Sequence, residues 1–170
     1  MDRSQLRALQ APLRERYAAD PASADTALQA RGDLRDPGIT ATVDGWAGPV
    51  RAGLHPATGG DGSDACSGDM LLEALLACAG VTLRSVATAM GLDLRSASLT
   101  AKSSFDARGT LGLDRSVPVG IGPVTVTAVV DCGDGDLDDA VLERLATTTE
   151  RYCVVGQSLA TAPTVVVRRR

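Results

Sequence analysis

The sequence predicts an α+β domain, and three observations predict it. Short β-branched or alternating runs come in groups, each group followed by one helical segment, rather than in regular strand–helix alternation. The longest helical segment, residues 67–90, is apolar over a wide arc, as a helix covered on most sides should be. A second, amphipathic helical segment, "GDGDLDDAVLERLATTTERY", is followed by one last β-branched run, "PTVVVRR".

Along the chain, Leu6, Leu9, Leu13 and Tyr17 stand at helical spacing, and Pro12 is expected to kink or divide that helix. A short strand is expected near residues 26–33. "RDPG" (35–38) follows as a turn, with Pro fixing φ and Gly free to take positive φ. "ITATVDGW" (39–46) alternates as the second arm of a hairpin, and "PVRAGL" reads as a third strand. Gly and small polar residues make 55–69 a loop. The central helix then runs from Ser67 to Met90 and stops at Gly91. "SASLTAKSSFDARG" and "VTVTAVV" read as a hairpin with a long connection. In the last helix, Asp136, Asp138 and Asp139 favour the positive helix end, while Val141, Leu142, Leu145 and Tyr152 form the inner face.

Composition narrows the function. The chain has 170 residues, 44% of them apolar, with one Trp, two Tyr and one Phe, so the core is aliphatic. A net charge of −4 argues against a broad nucleic-acid surface. The terminal Arg168, Arg169 and Arg170 read as a solvated tail. "MDRSQLRALQ" lacks the apolar core of a signal peptide, and the apolar stretch 70–83 is interrupted by Glu73 and too short to span a bilayer. The expectation is a soluble cytoplasmic protein with no membrane or nucleic-acid partner, in a compartment where thiols stay reduced.

Four cysteines are present, and no two form a CxxC pair. The spacings of Cys66, Cys78, Cys132 and Cys153 fit no zinc motif, and His55 stands alone in a loop, so no metal is expected. Cys78, at the centre of an aliphatic helix, reads on its own as a small hydrophobe. Inert core residues and redox-active groups both remain open at this level.

Two motifs in order change the balance. "GDMLLEALLAC" ends at Cys78 and "ERYCVV" contains Cys153, with a hairpin and a Gly-rich connection between them. In this the chain resembles the OsmC/Ohr family, the osmotically induced and organic-hydroperoxide-resistance proteins, from about residue 26 to the C-terminus. The resemblance implies the family fold, an intertwined homodimer with long central helices packed against antiparallel sheets. It divides the chain into an N-terminal helical extension, 1–20, and an OsmC-like domain, 21–170.

It also implies a cysteine-based peroxidase for organic hydroperoxides, with Cys78 peroxidatic and Cys153 resolving. The co-substrate would be a dithiol reductant such as a dihydrolipoyl group, with no bound cofactor. The family's thiolate-stabilising arginine falls on Arg35, with Arg31 and Arg51 as rivals. Its orienting carboxylate falls on Asp69, with Glu73 second. Leu72, Leu75 and Leu76 would line an aliphatic pocket. Cys66 and Cys132 read as incidental, and His55 as a loop residue that could polarise the pocket. Val154 stands where the family commonly has Pro. The alternative is an OsmC-like redox-responsive or small-ligand-binding protein without efficient turnover.

Overall fold

The computed structural model describes residues 1–34, 36–132 and 137–170. Helix α1, Arg3–Ala19, starts on a capping box in which Asp2 accepts from the Gln5 amide while the Gln5 side chain accepts from the Asp2 amide. Pro12 neither ends nor divides it. Proline removes one backbone donor, and the bonds on either side keep a single helix.

A first sheet follows, with β1 Gly32–Asp33, β2 Thr40–Gly45, β3 Gly48–Gly53 and β4 Ala65–Cys66 in that spatial order. The first three strands are antiparallel, and β4 joins β3 in parallel. The strand expected over 26–33 is therefore only two residues long. β2 and β3 turn back through Trp46 and Ala47 into Gly48, whose φ of 124° only glycine tolerates well.

Chain leaving β4 passes directly into α2, Ser67–Met90, which Gly91 ends at φ 80°. Its buried side chains are Leu75, Ala79, Leu83 and Ala87, a single stripe at four-residue spacing. The covered arc is thus narrower than the composition suggests, since Ala74, Ala77 and Val81 are exposed. By length and hydropathy alone α2 could cross a membrane. Here it packs against the second sheet and the last long helix.

The second sheet has the order β5 Leu94–Lys102, β6 Thr125–Cys132, β7 Thr164–Arg169. β5 and β6 are antiparallel, whereas β7 runs parallel to β6 and so requires a crossover. A four-residue turn of helix, α3 Ala107–Thr110, interrupts the connection between β5 and β6. The crossover from β6 to β7 carries α4, Asp139–Tyr152, and the short α5, Val154–Gln157. Asp138 caps α4 by accepting from the Val141 amide at 2.7 Å. Asp136, also expected in this first turn, lies outside the described residues.

The core lies between this sheet and helices α2 and α4. Val126, Ala128 and Val130 alternate inward from β6, with Val165 and Val167 from β7, against Leu75 and Leu83 of α2 and Leu142 and Leu145 of α4. Tyr152 does not join them. It is 60% exposed, because α4 ends there and the chain turns inward one residue later, at Cys153.

Candidate functional site

Cys153 sits in the break between α4 and α5 and serves both helices. Its amide closes α4 on the Thr149 carbonyl at 3.0 Å, and its sulfur accepts from the Gly156 amide at 3.4 Å as the cap of α5. It is 1% exposed. The Gln157 side chain donates back to the Glu150 carbonyl at 2.9 Å, which pins α5 to the end of α4. Room at Gly156 is short: a Cβ there would lie 3.3 Å from the Cys153 sulfur and 3.1 Å from Pro163 Cγ, so a side chain would oblige one of them to shift by a few tenths of an ångström.

This junction packs on α2, where the Val154 and Val155 amides and the Cys153 thiol lie near enough to Cys78 to act on its acidity. Burial pushes the Cys78 thiol up. The Val155 amide, the Cys153 thiol, the Thr82 hydroxyl and the Val154 amide all favour its thiolate, and the net result lies below the ordinary thiol range. Cys153 moves the opposite way. Burial raises it, the Gly156 amide partly opposes that, and the neighbouring Cys78 raises it further. One thiol is prepared to ionise and its neighbour to stay protonated. That is the division of labour expected of a nucleophile and a second, later nucleophile.

The remaining site residues do not converge on the thiols in the same way. Arg35 lies outside the described residues. Arg51 is exposed and forms an ion pair with Asp64, and the Arg31 carbonyl accepts from the Asp44 amide. Neither arginine hydrogen-bonds a thiol among the described residues. Asp69 and Glu73 are exposed on α2. Asp69 precedes Cys78 by nine positions, about 13 Å along the helix axis, so it cannot touch the sulfur from its own helix. Leu75 cannot line a pocket, since it is wholly buried in the core, while Leu72 and Leu76 are partly buried against it.

Cys66 ends β4 and precedes α2. It lines a separate cavity of about 280 Å³ with His55 and Phe105, whose rings meet edge to face at 5.2 Å. His55 Nδ1 accepts from the Ala57 amide at 3.0 Å, so the ring caps its own turn and its cavity does not include the thiol pair. Cys132 is pushed up by burial and by the charges of Asp131 and Asp93. Among the described residues no three of His, Cys, Asp and Glu gather closely enough to hold a metal ion.

Sequence reasoning missed the groups that act on Cys78. Thr82 could have been found, because four positions on a helix bring two side chains together. The Val154 and Val155 amides were hidden, since α5 is too short to show in a pattern of side chains.

A model of the family described as OsmC-like protein matches residues 60–168, which include both cysteines and all of the second sheet except the last residue of β7. The chain belongs to the OsmC-like family. Solved structures agree on the fold. An OsmC-like protein of unknown function from Vibrio cholerae superposes with a TM-score of 0.69 at 14% identity, over 86% of this chain and 100% of the other. An organic hydroperoxide resistance protein from Elizabethkingia anophelis gives 0.64 at 13% identity, covering 86% and 99%. One named organic hydroperoxide resistance protein OsmC, from Legionella pneumophila, gives 0.59 at 16% identity, covering 85% and 98%. No curated protein sequence matches the chain. At these identities the likeness is one of fold, and the chemistry of this OsmC-like chain has to be argued from its own residues.

Proposed function

We propose that the protein is a thiol-dependent peroxidase that reduces organic hydroperoxides, with Cys78 as the peroxidatic and Cys153 as the resolving thiol. One observation carries this reading: the two thiols lie together with acidities displaced in opposite directions. The Cys78 thiolate attacks the terminal oxygen of the hydroperoxide. An S–O bond forms, the O–O bond breaks, and the alkoxide leaves and takes a proton to become the alcohol. Cys78 is then a sulfenic acid. Cys153 attacks its sulfur, loses its proton, and expels water as the S–S bond closes. A dithiol of the dihydrolipoyl class returns both thiols by becoming a disulfide itself. In sum, one hydroperoxide and one dithiol give one alcohol, one water and one disulfide.

Arg35 is the proposed cation that stabilises the thiolate and Asp69 the proposed carboxylate that orients Arg35, in an OsmC-like domain spanning 21–170. The working form is a homodimer in the reducing cytoplasm. Exposure of Ile39 and Trp46 around the first sheet supports a second copy packing there. The test is steady-state turnover of cumene hydroperoxide with excess dihydrolipoamide, which should continue over many equivalents and stop in Cys78→Ser.

The second reading is a redox-responsive or ligand-binding protein without efficient turnover. It is favoured by the amide and hydroxyl partners of Cys78, with no arginine hydrogen-bonded to the sulfur among the described residues. It predicts consumption of one equivalent of hydroperoxide and then no more.

A further inference from the structure

Among the described residues, the Thr149 hydroxyl is the side-chain oxygen that lies buried with no hydrogen-bond partner. The residue is 1% exposed and sits in α4, one turn before Cys153. A threonine in a helix can turn its hydroxyl back to the carbonyl four positions earlier. Thr88 does so to Arg84 at 2.8 Å and Thr147 to Glu143 at 3.0 Å. Thr149 makes no such bond to Leu145. Its oxygen is enclosed by its own chain, so a second copy packing on the surface gives it no partner. A hydroxyl buried in this way costs stability, and valine would fill the same space without that cost.

The group beside it is the Cys153 thiol. The Cys153 amide donates to the Thr149 carbonyl at 3.0 Å, and Cys153 keeps a helical φ of −75°. The two side chains therefore share one face of α4, and the Cys153 Cβ tilts back over Thr149. Cys153 is likewise 1% exposed. In the reduced pair its sulfur accepts from the Gly156 amide at 3.4 Å, on the side of α5.

We propose, on the peroxidase reading of the thiol pair, that Thr149 is a positioning residue for disulfide closure, its hydroxyl donating to the Cys153 sulfur as that thiol ionises to attack the Cys78 sulfenic acid. In this step the S–S bond forms and the S–O bond of Cys78 breaks. The departing hydroxyl group takes the proton that Cys153 gives up and leaves as water. Thr149 keeps its own proton throughout. Negative charge gathers on a sulfur set in the aliphatic core, where burial opposes it. The groups that act on that sulfur are the Gly156 and Val155 amides of α5 and the titratable Cys78 of α2. A hydroxyl one turn back on α4 adds a donor from the side that α5 does not cover. The group that destabilises the reduced protein thus gains its partner at the step that needs it.

The reduced full chain is mixed rapidly with one equivalent of cumene hydroperoxide, quenched in acid at intervals, and analysed by intact mass and peptide mapping. The parent should pass through a Cys78 sulfenic acid to the Cys78–Cys153 disulfide. Thr149→Val should form the sulfenic acid as the parent does and close the disulfide about tenfold more slowly, as the loss of a hydrogen bond to a charged sulfur would. The pH midpoint of closure should rise, because a thiolate deprived of a donor needs a higher pH to form. Thr149→Ser keeps the hydroxyl and loses the methyl group, so it should close near the parent rate while unfolding at a lower temperature. Thr149→Val should unfold no lower than the parent, which separates slow closure from a failure to fold. Parent-like closure in Thr149→Val with an unmoved pH midpoint overturns the proposal and leaves the peroxidase reading in place. So does Thr149→Ser closing as slowly as Thr149→Val. A parent chain that forms no disulfide overturns the peroxidase reading, and the role of Thr149 with it.

Discussion

Cys78, midway along α2, and Cys153, in the break between α4 and α5, face one another where α2 packs on α5, near enough that each alters the other's acidity. The Cys153 thiol helps to lower Cys78, while Cys78 raises Cys153. Their proximity orders the two groups as well as pairing them.

That order should appear in alkylation. Under limiting iodoacetamide at neutral pH, Cys78 should be modified before Cys153. Its rate should fall only as pH drops through a midpoint below that of an ordinary thiol, because a depressed pKa keeps the thiolate to lower pH. Cys153 should require pH above the ordinary midpoint. Mass spectrometry of alkylated peptides across a pH series checks both. Reversed order would mean that the local amides do not govern Cys78.

Thr82 offers a sharper handle. Thr82→Val removes the hydroxyl that favours the Cys78 thiolate, and should slow alkylation at neutral pH about fivefold, as the loss of a hydrogen bond of about 1 kcal/mol would. Thr82→Ser should restore most of the rate. The serine variant separates the hydrogen bond from the shape of the side chain.

Crowding at Gly156 should matter to both stability and redox chemistry. A methyl group there meets the Cys153 sulfur and Pro163, so Gly156→Ala should cost about 1–3 kcal/mol by overpacking. It should also slow closure of the disulfide in stopped-flow measurements, since the sulfur must give way.

Thr149 is a stability prediction of opposite sign. Its hydroxyl oxygen is buried, and no partner accepts or donates to it among the described residues. Thr149→Val should therefore stabilise the fold by about 1 kcal/mol in urea unfolding, by removing a polar atom that burial strips of water.

Much of this arrangement was legible in the sequence, and the gaps have physical causes. The bounds of α2 could be read at both ends, because an apolar arc began after a small-residue loop and Gly91 could take a left-handed stop. The pairing of β5 with β6 followed from alternation. The continuity of α1 through Pro12 did not, since the cost of one proline depends on bonds that neighbours supply. Tyr152 was placed inward by helical periodicity, which does not register that the chain changes direction at Cys153. In the site, neither cysteine stood out by itself, since a thiol in an aliphatic helix reads as core, and only the family resemblance paired Cys78 with Cys153. The Val154 and Val155 amides carried no signal, because backbone donors become functional through geometry and leave no mark in residue identity.

The most direct test treats the fully reduced protein with one equivalent of cumene hydroperoxide and maps the products by intact mass and peptide analysis. The account predicts a Cys78–Cys153 disulfide within seconds, with Cys66 and Cys132 unchanged. Cys78 carried on to sulfinic or sulfonic acid while Cys153 stays free would contradict it, because the two sulfurs would then not react with each other.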